Sequence, residues 1–139
     1  GKVATPDHVL LKPGRLTDEE FETIKEHSEI GYNILECGKR EILSTASIIA
    51  HQHHEKYDGS GYPQGLKGEE IPIESRIVSI TAVFDALISE RSYGKKWQVD
   101  KAIGLIEEGS GKDFDPQLVP LFKKILPEIL EIKNQFPDE

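Results

Sequence analysis

The chain has 139 residues, of which 37% are hydrophobic and 30% charged, and its formal net charge is −8. That length and balance predict one soluble globular domain with a buried core. No apolar run approaches the roughly 20 residues that span a bilayer. The acidic excess argues against unspecific nucleic-acid binding, which relies on cations neutralising phosphates, but leaves room for a small anionic ligand in a local basic patch. The single cysteine, Cys37, has no internal partner, and no secretory leader is visible, so a reducing cytoplasm is the expected compartment. Methionine is absent, and the opening Gly1-Lys2 reads as a piece cut from a longer chain.

Gly1 to Gly14, with two prolines and two glycines, reads as an irregular connection. Thr17, Asp18, Glu19 and Glu20 then combine a cap hydroxyl, first-turn acids and a capping-box glutamate, which predicts a helix start. Its apolar stripe is Phe21, Ile24, Ile30, Ile34 and Leu35, with His27 on the stripe, Gly31 permitting close helix packing and Gly38 ending the helix. A second helix is expected from about Glu41 to His54, with Ile42, Leu43, Ala46, Ile49 and Ala50 inward. A third is expected from about Ile73 to Ser89, carrying Ile77, Ile80, Val83, Phe84 and Ile88. Arg91 to Lys96 forms a basic turn. Further helices follow over about Val99 to Glu108 and from Asp115-Pro116 onward, where Pro127 divides the last region near Leu126. No segment alternates as a strand, so the expected fold is all-α.

The richest stretch is His51-Gln-His-His-Glu-Lys-Tyr-Asp-Gly-Ser-Gly-Tyr-Pro63. Three imidazoles and two carboxylates end a helix and enter a loop, residues 58–72, that holds four glycines and two prolines. Gly59 and Gly61 are free to take positive φ, and Pro63 stiffens the exit. Nitrogen and oxygen donors beside a long, rigid loop suit the edge of a metal-centred pocket. Adjacent helical residues point about 100° apart, so His53 and His54 are placed to serve different metals, or to divide metal and phosphate between them. His27 is either a metal ligand or a buried imidazole bonded to backbone. His51, three residues before His54, has a possible ligand spacing, and His8 reads as solvated.

His53-His54-Glu55-Lys56-Tyr57-Asp58-Gly59-Ser60-Gly61-Tyr62-Pro63 fits the pattern HHExxDGxGYP. With Phe84-Asp85-Ala86-Leu87 and Phe114-Asp115-Pro116, it makes the chain resemble the HD-GYP subgroup of the HD superfamily, bacterial metal-dependent phosphodiesterases that hydrolyse cyclic di-GMP. The resemblance implies an HD-domain-like helical bundle over residues 1–139, incomplete at its N-terminus. It implies divalent metal ions, iron or manganese first and zinc or nickel next, held by His27, His53 and His54. Glu55 and Asp58 become acceptors for the histidine rings, with capping the alternative for Asp58. Lys2 becomes the residue that reaches the scissile phosphate, and Tyr62, Arg91 and Lys95 become substrate contacts. It implies cyclic di-GMP or a related cyclic dinucleotide as ligand and a GGDEF-domain protein as a possible partner.

Two departures from that family stand out. The histidine-aspartate pair expected before Gly1-Lys2 is absent, and Ala82 occupies the position of a metal-binding aspartate. The expectation is therefore a chain with an incomplete metal centre and little or no turnover, or a degenerate module that binds a cyclic dinucleotide without catalysis. Helix faces left uncovered in such a piece favour a homo-oligomer.

Overall fold

The computed structural model describes residues 1–36, 40–89 and 97–136, and among them there is no strand beyond one isolated Ser110–Phe114 bridge. The all-α expectation holds. After a 3-10 turn over Lys2–Ala4 come α1 (Asp7–Leu10), α2 (Asp18–Glu36), α3 (Glu41–Gln52), α4 (Ile73–Ile88), α5 (Val99–Glu108), α6 (Leu118–Lys124) and α7 (Leu126–Gln135). The opening stretch is thus less irregular than its composition predicts. The capping box at α2 is complete: the Thr17 amide donates to Glu20 Oε2 at 2.7 Å, and the Glu20 amide donates to Thr17 Oγ1 at 3.2 Å. Pro127 sits in the first turn of α7, where its missing N–H is harmless, and this is why the helix divides there. Gly38 and Cys37 lie outside the described residues.

The apolar core belongs to the second half of the chain. Ile80, Phe84 and Ile88 of α4 pack on Ala102, Ile103 and Ile106 of α5, on Phe114, and on Val119 and Phe122 of α6. Phe84 and Phe122 meet edge to face at 5.2 Å. Burying one such side chain contributes about 1.5–3 kcal/mol.

The α2–α3 pair packs differently. Its buried residues are His27, Ser28 and Gly31 on α2 and Ser47 on α3, so its contact is made of small and polar groups. A Cβ on Gly31 would lie 3.3 Å from the Ala50 Cβ, a tight contact that glycine avoids at this approach. The expected apolar stripe is only partly inward: Phe21, Ile34 and Ile42 are exposed, as are Ile77, Leu121 and Ile125 elsewhere. Among the described residues, no helix is long and apolar enough to cross a membrane.

Candidate metal centre

His27 is buried in the middle of α2. His53 caps the C-terminus of α3, and His54 follows it out of the helix. Because α3 stops at Gln52, two residues before the expected end, the two rings are not held on separate helix faces. Both turn toward His27. Ring centroids lie 5.3 Å (His27–His53), 5.0 Å (His27–His54) and 4.0 Å (His53–His54) apart. One nitrogen from each of the three falls within 4.8 Å of the others, and these three histidines make up the group, with no carboxylate among the described residues joining it. The three rings therefore offer one nitrogen each around a point where a single ion could be held.

The proton positions follow from the partners. His27 Nδ1 lies 2.5 Å from the Ile24 carbonyl, and His53 Nδ1 lies 3.0 Å from the carbonyls of Ile49 and Ala50. A carbonyl only accepts, so each Nδ1 carries the proton and each Nε2 is a bare lone pair. Those two Nε2 atoms are 3.3 Å apart. Two lone pairs facing each other repel unless a proton or a cation sits between them. The spacing is one that two nitrogens adopt when both bind one ion with bonds of about 2.0–2.1 Å. Burial pushes all three imidazoles below their ordinary pKa, and nearby charge, including Lys2, adds to this; His54 is lowered to about 3. Neutral imidazole is the form that ligates, so the donor set fits a divalent ion of the iron, manganese, nickel and zinc type.

The same burial has a stability consequence. A histidine whose folded pKa lies below its unfolded value contributes stability that is fully present above about pH 6.5. That stability is lost as pH falls toward the folded value of about 3, because the unfolded chain takes up the proton first. The urea midpoint of the metal-free chain is expected to drop between pH 7 and pH 5, and His54→Gln to flatten that slope. A midpoint that stays level in the parent chain would contradict the burial of the ring.

The other expected site residues sort clearly. Glu55 is a correction. Its carboxylate is 2% exposed and accepts the backbone amides of Gln64 at 2.7 Å and Leu66 at 3.1 Å, so it ties down the loop rather than a histidine ring. Asp58 also turns away from the imidazoles and accepts the Ser60 amide at 2.8 Å, the capping alternative. Gly59 does take positive φ, at 86°, but Gly61 does not. A Cβ on Gly61 would lie 2.4 Å from the Lys56 amide and 2.5 Å from the His54 carbonyl, so close approach is its reason. Tyr62 stacks on His54 at 4.7 Å. Lys2 is exposed, and its charge reaches all three imidazoles. Gly1 abuts the His27 carbonyl where no side chain fits. His51 stacks on Tyr32 and stands outside the histidine group. Arg91 and Lys95 lie outside the described residues.

A cleft of about 440 Å³ opens beside His53 and His54, walled by Lys56, Lys112, Ser79 and Val83. Ala82 is exposed on α4, on the helix face shared by Ser79 and Val83. The segment under this cleft docks on the loop through the Tyr57 amide to the Asp113 carbonyl (3.3 Å) and the Asp58 amide to the Lys112 carbonyl (2.9 Å). Sequence reasoning missed the Arg76–Asp115 pair that braces this segment and the Phe21–Lys25 contact with Tyr62.

A family model described as an HD domain matches residues 1–118. The chain is 45% identical over 136 residues to the cyclic di-GMP phosphodiesterase response regulator RpfG of Xanthomonas campestris, covering 98% of this chain and 36% of that protein. It is 43% identical over 138 residues to the 3'3'-cGAMP-specific phosphodiesterase 2 of Vibrio cholerae, covering 99% of this chain and 26% of that one. Its fold matches the crystal structure of a cyclic GMP-AMP phosphodiesterase of V. cholerae, with a TM-score of 0.67 at 24% identity over 88% of this chain and 28% of that one. The chain belongs to the HD-domain family, and its motifs are of the HD-GYP type. It spans about a third of the length of the curated relatives it matches, or less.

Proposed function

We propose that this chain is a domain of a metal-dependent phosphodiesterase that binds cyclic di-GMP or a related cyclic dinucleotide, and that as it stands it turns over little or none. The observation that carries the reading is the convergence of three neutral imidazoles beside a cleft whose wall carries Lys112, Glu108 and the Lys56–Asp113 ion pair. When bound, a divalent ion supplies positive charge to the phosphoryl oxygens and a water more acidic than bulk. The chain's own residues do the rest. His27, His53 and His54 hold the ion through bare ring nitrogens, and Lys2 brings a cation to the phosphate side. Glu55 and Asp58 hold the loop that carries Tyr62, and Arg91, Lys95 and Tyr62 are assigned to ligand contact. The exposed Ile77, Leu121 and Ile125, which border one apolar groove, support homo-oligomer formation.

Ala82 limits the chemistry, because a methyl group cannot ligate a metal. It favours a second reading, a module that binds a cyclic dinucleotide, or docks a GGDEF-type partner through the Gly-Tyr-Pro loop, without catalysis. Ala82→Asp separates the two. With manganese present, it is expected to raise hydrolysis of cyclic di-GMP by about 10- to 100-fold over the parent, the range that residues around a metal command. Calorimetry with cyclic di-GMP run beside the assay reports binding independently. A parent chain that binds two or more ions and hydrolyses the ligand would overturn the proposed deficit. An Ala82→Asp variant that binds the ligand but gains no turnover would leave the binding module as the reading.

A further inference from the structure

We propose that Phe21 and Lys25 are positioning residues for His54, acting through the Tyr62 ring; the inference rests on the metal reading of the histidine group. The three imidazoles are not held in the same way. His27 and His53 are each fixed by an Nδ1–H donated to a backbone carbonyl, whereas neither ring nitrogen of His54 has a hydrogen bond among the described residues. What orients His54 is an aromatic face. The Tyr62 ring stacks on it at 4.7 Å with planes 23° apart, and the Tyr62 amide donates to the His54 carbonyl at 3.2 Å.

Tyr62 is held in its turn from α2. The Phe21 ring meets it edge on, with centroids 6.3 Å apart and planes at 83°. The Lys25 ammonium lies 5.4 Å from the Tyr62 ring centre and 5.0 Å from that of Phe21. Phe21 and Lys25 are one helical turn apart, so a single face of α2 presents both. The helix that supplies His27 thus also clamps the ring behind His54. This gives an exposed phenylalanine, 45% accessible, a task that core packing does not explain. A π-face takes the place of the hydrogen-bonded carbonyl used at the other two rings, and partners of that kind govern metal affinity by orienting the donor.

The test uses the whole chain with zinc as probe. Phe21→Leu and Lys25→Gln are each expected to weaken zinc binding about tenfold, while Phe21→Tyr, which keeps an aromatic edge, retains the parent affinity. Glu22→Gln is the control: it removes the 2.6 Å ion pair to Lys25 but leaves the ammonium free to sit over the rings, and zinc affinity should not change. A metal-free readout accompanies it. In proton spectra the His54 ring signals, displaced by the Tyr62 face in the parent and assigned with His54→Gln, should move toward those of a solvent-exposed histidine in Phe21→Leu. If Phe21→Leu binds zinc as tightly as the parent and leaves those signals in place, the positioning role is wrong. If the parent binds no zinc at all, the metal reading fails, and the ring signals alone decide whether α2 positions His54.

Discussion

Zinc or manganese binding to His53→Ala is expected to be about 100- to 1,000-fold weaker than to the parent chain. A structural zinc site is worth about 10–16 kcal/mol spread over four ligands, so one imidazole accounts for roughly 2.5–4 kcal/mol, or about two to three decades in affinity. His53 is the informative choice because its bare Nε2 faces that of His27 at 3.3 Å, and removing it breaks a close donor pair in the group. The contrast is His51→Ala. That ring lies two residues away but stacks on Tyr32 instead of joining the group, so its loss should leave metal affinity unchanged. Thermal unfolding provides a second measure. Ligand that binds only the folded chain raises stability by about RT ln(1 + [L]/Kd), so added metal should raise the parent melting temperature and that of His51→Ala, but not that of His53→Ala. Equal stabilisation of all three would remove the histidine group from consideration as a metal site.

How much of this was legible beforehand depended on the range of the interaction. Signals confined to a few residues read well. The capping box at Thr17–Glu20 marked the start of α2, and α5 spans Val99–Glu108, the expected range. Burial read less well, because periodicity shows which residues share a face and not what covers it. Ile34 and Ile42 lie on apolar faces, yet they are 55% and 75% exposed. At the site, residue identity was legible from the ordered motif, while arrangement was not. His53 and His54 meet His27 because α3 stops at Gln52, and no residue there announces that stop. Glu55 misled for a chemical reason. A carboxylate beside a histidine pair suits a ring partner, but the loop that follows has backbone amides to satisfy, and Glu55 takes two of them. Arg76 and Asp115 are 39 residues apart, a separation at which only the folded chain reveals a partner.

That pair carries the other large effect: Asp115→Ala is expected to destabilise the domain by about 3–5 kcal/mol, much of the 5–15 kcal/mol that typically holds a domain folded. Asp115 is 3% exposed, and its Oδ2 lies 2.6 Å from Arg76 Nη1, whose side chain is 14% exposed. Its Oδ1 accepts the Gln117 amide at 2.8 Å, which places the cap ahead of α6. Truncation removes both contacts and leaves a guanidinium enclosed without its counter-charge, with Arg76 Nε already lacking a partner. The exposed Lys25–Glu22 pair, by comparison, should be worth at most about 1 kcal/mol. In urea denaturation Asp115→Asn, which keeps the cap oxygen, should lose less than Asp115→Ala. Arg76→Leu combined with Asp115→Ala should recover part of the loss, because no buried charge is then left unpaired. A loss below about 1 kcal/mol in Asp115→Ala would mean that water reaches Arg76. The bridge would then not brace the segment around Lys112 and Asp113 that lines the cleft beside His53 and His54.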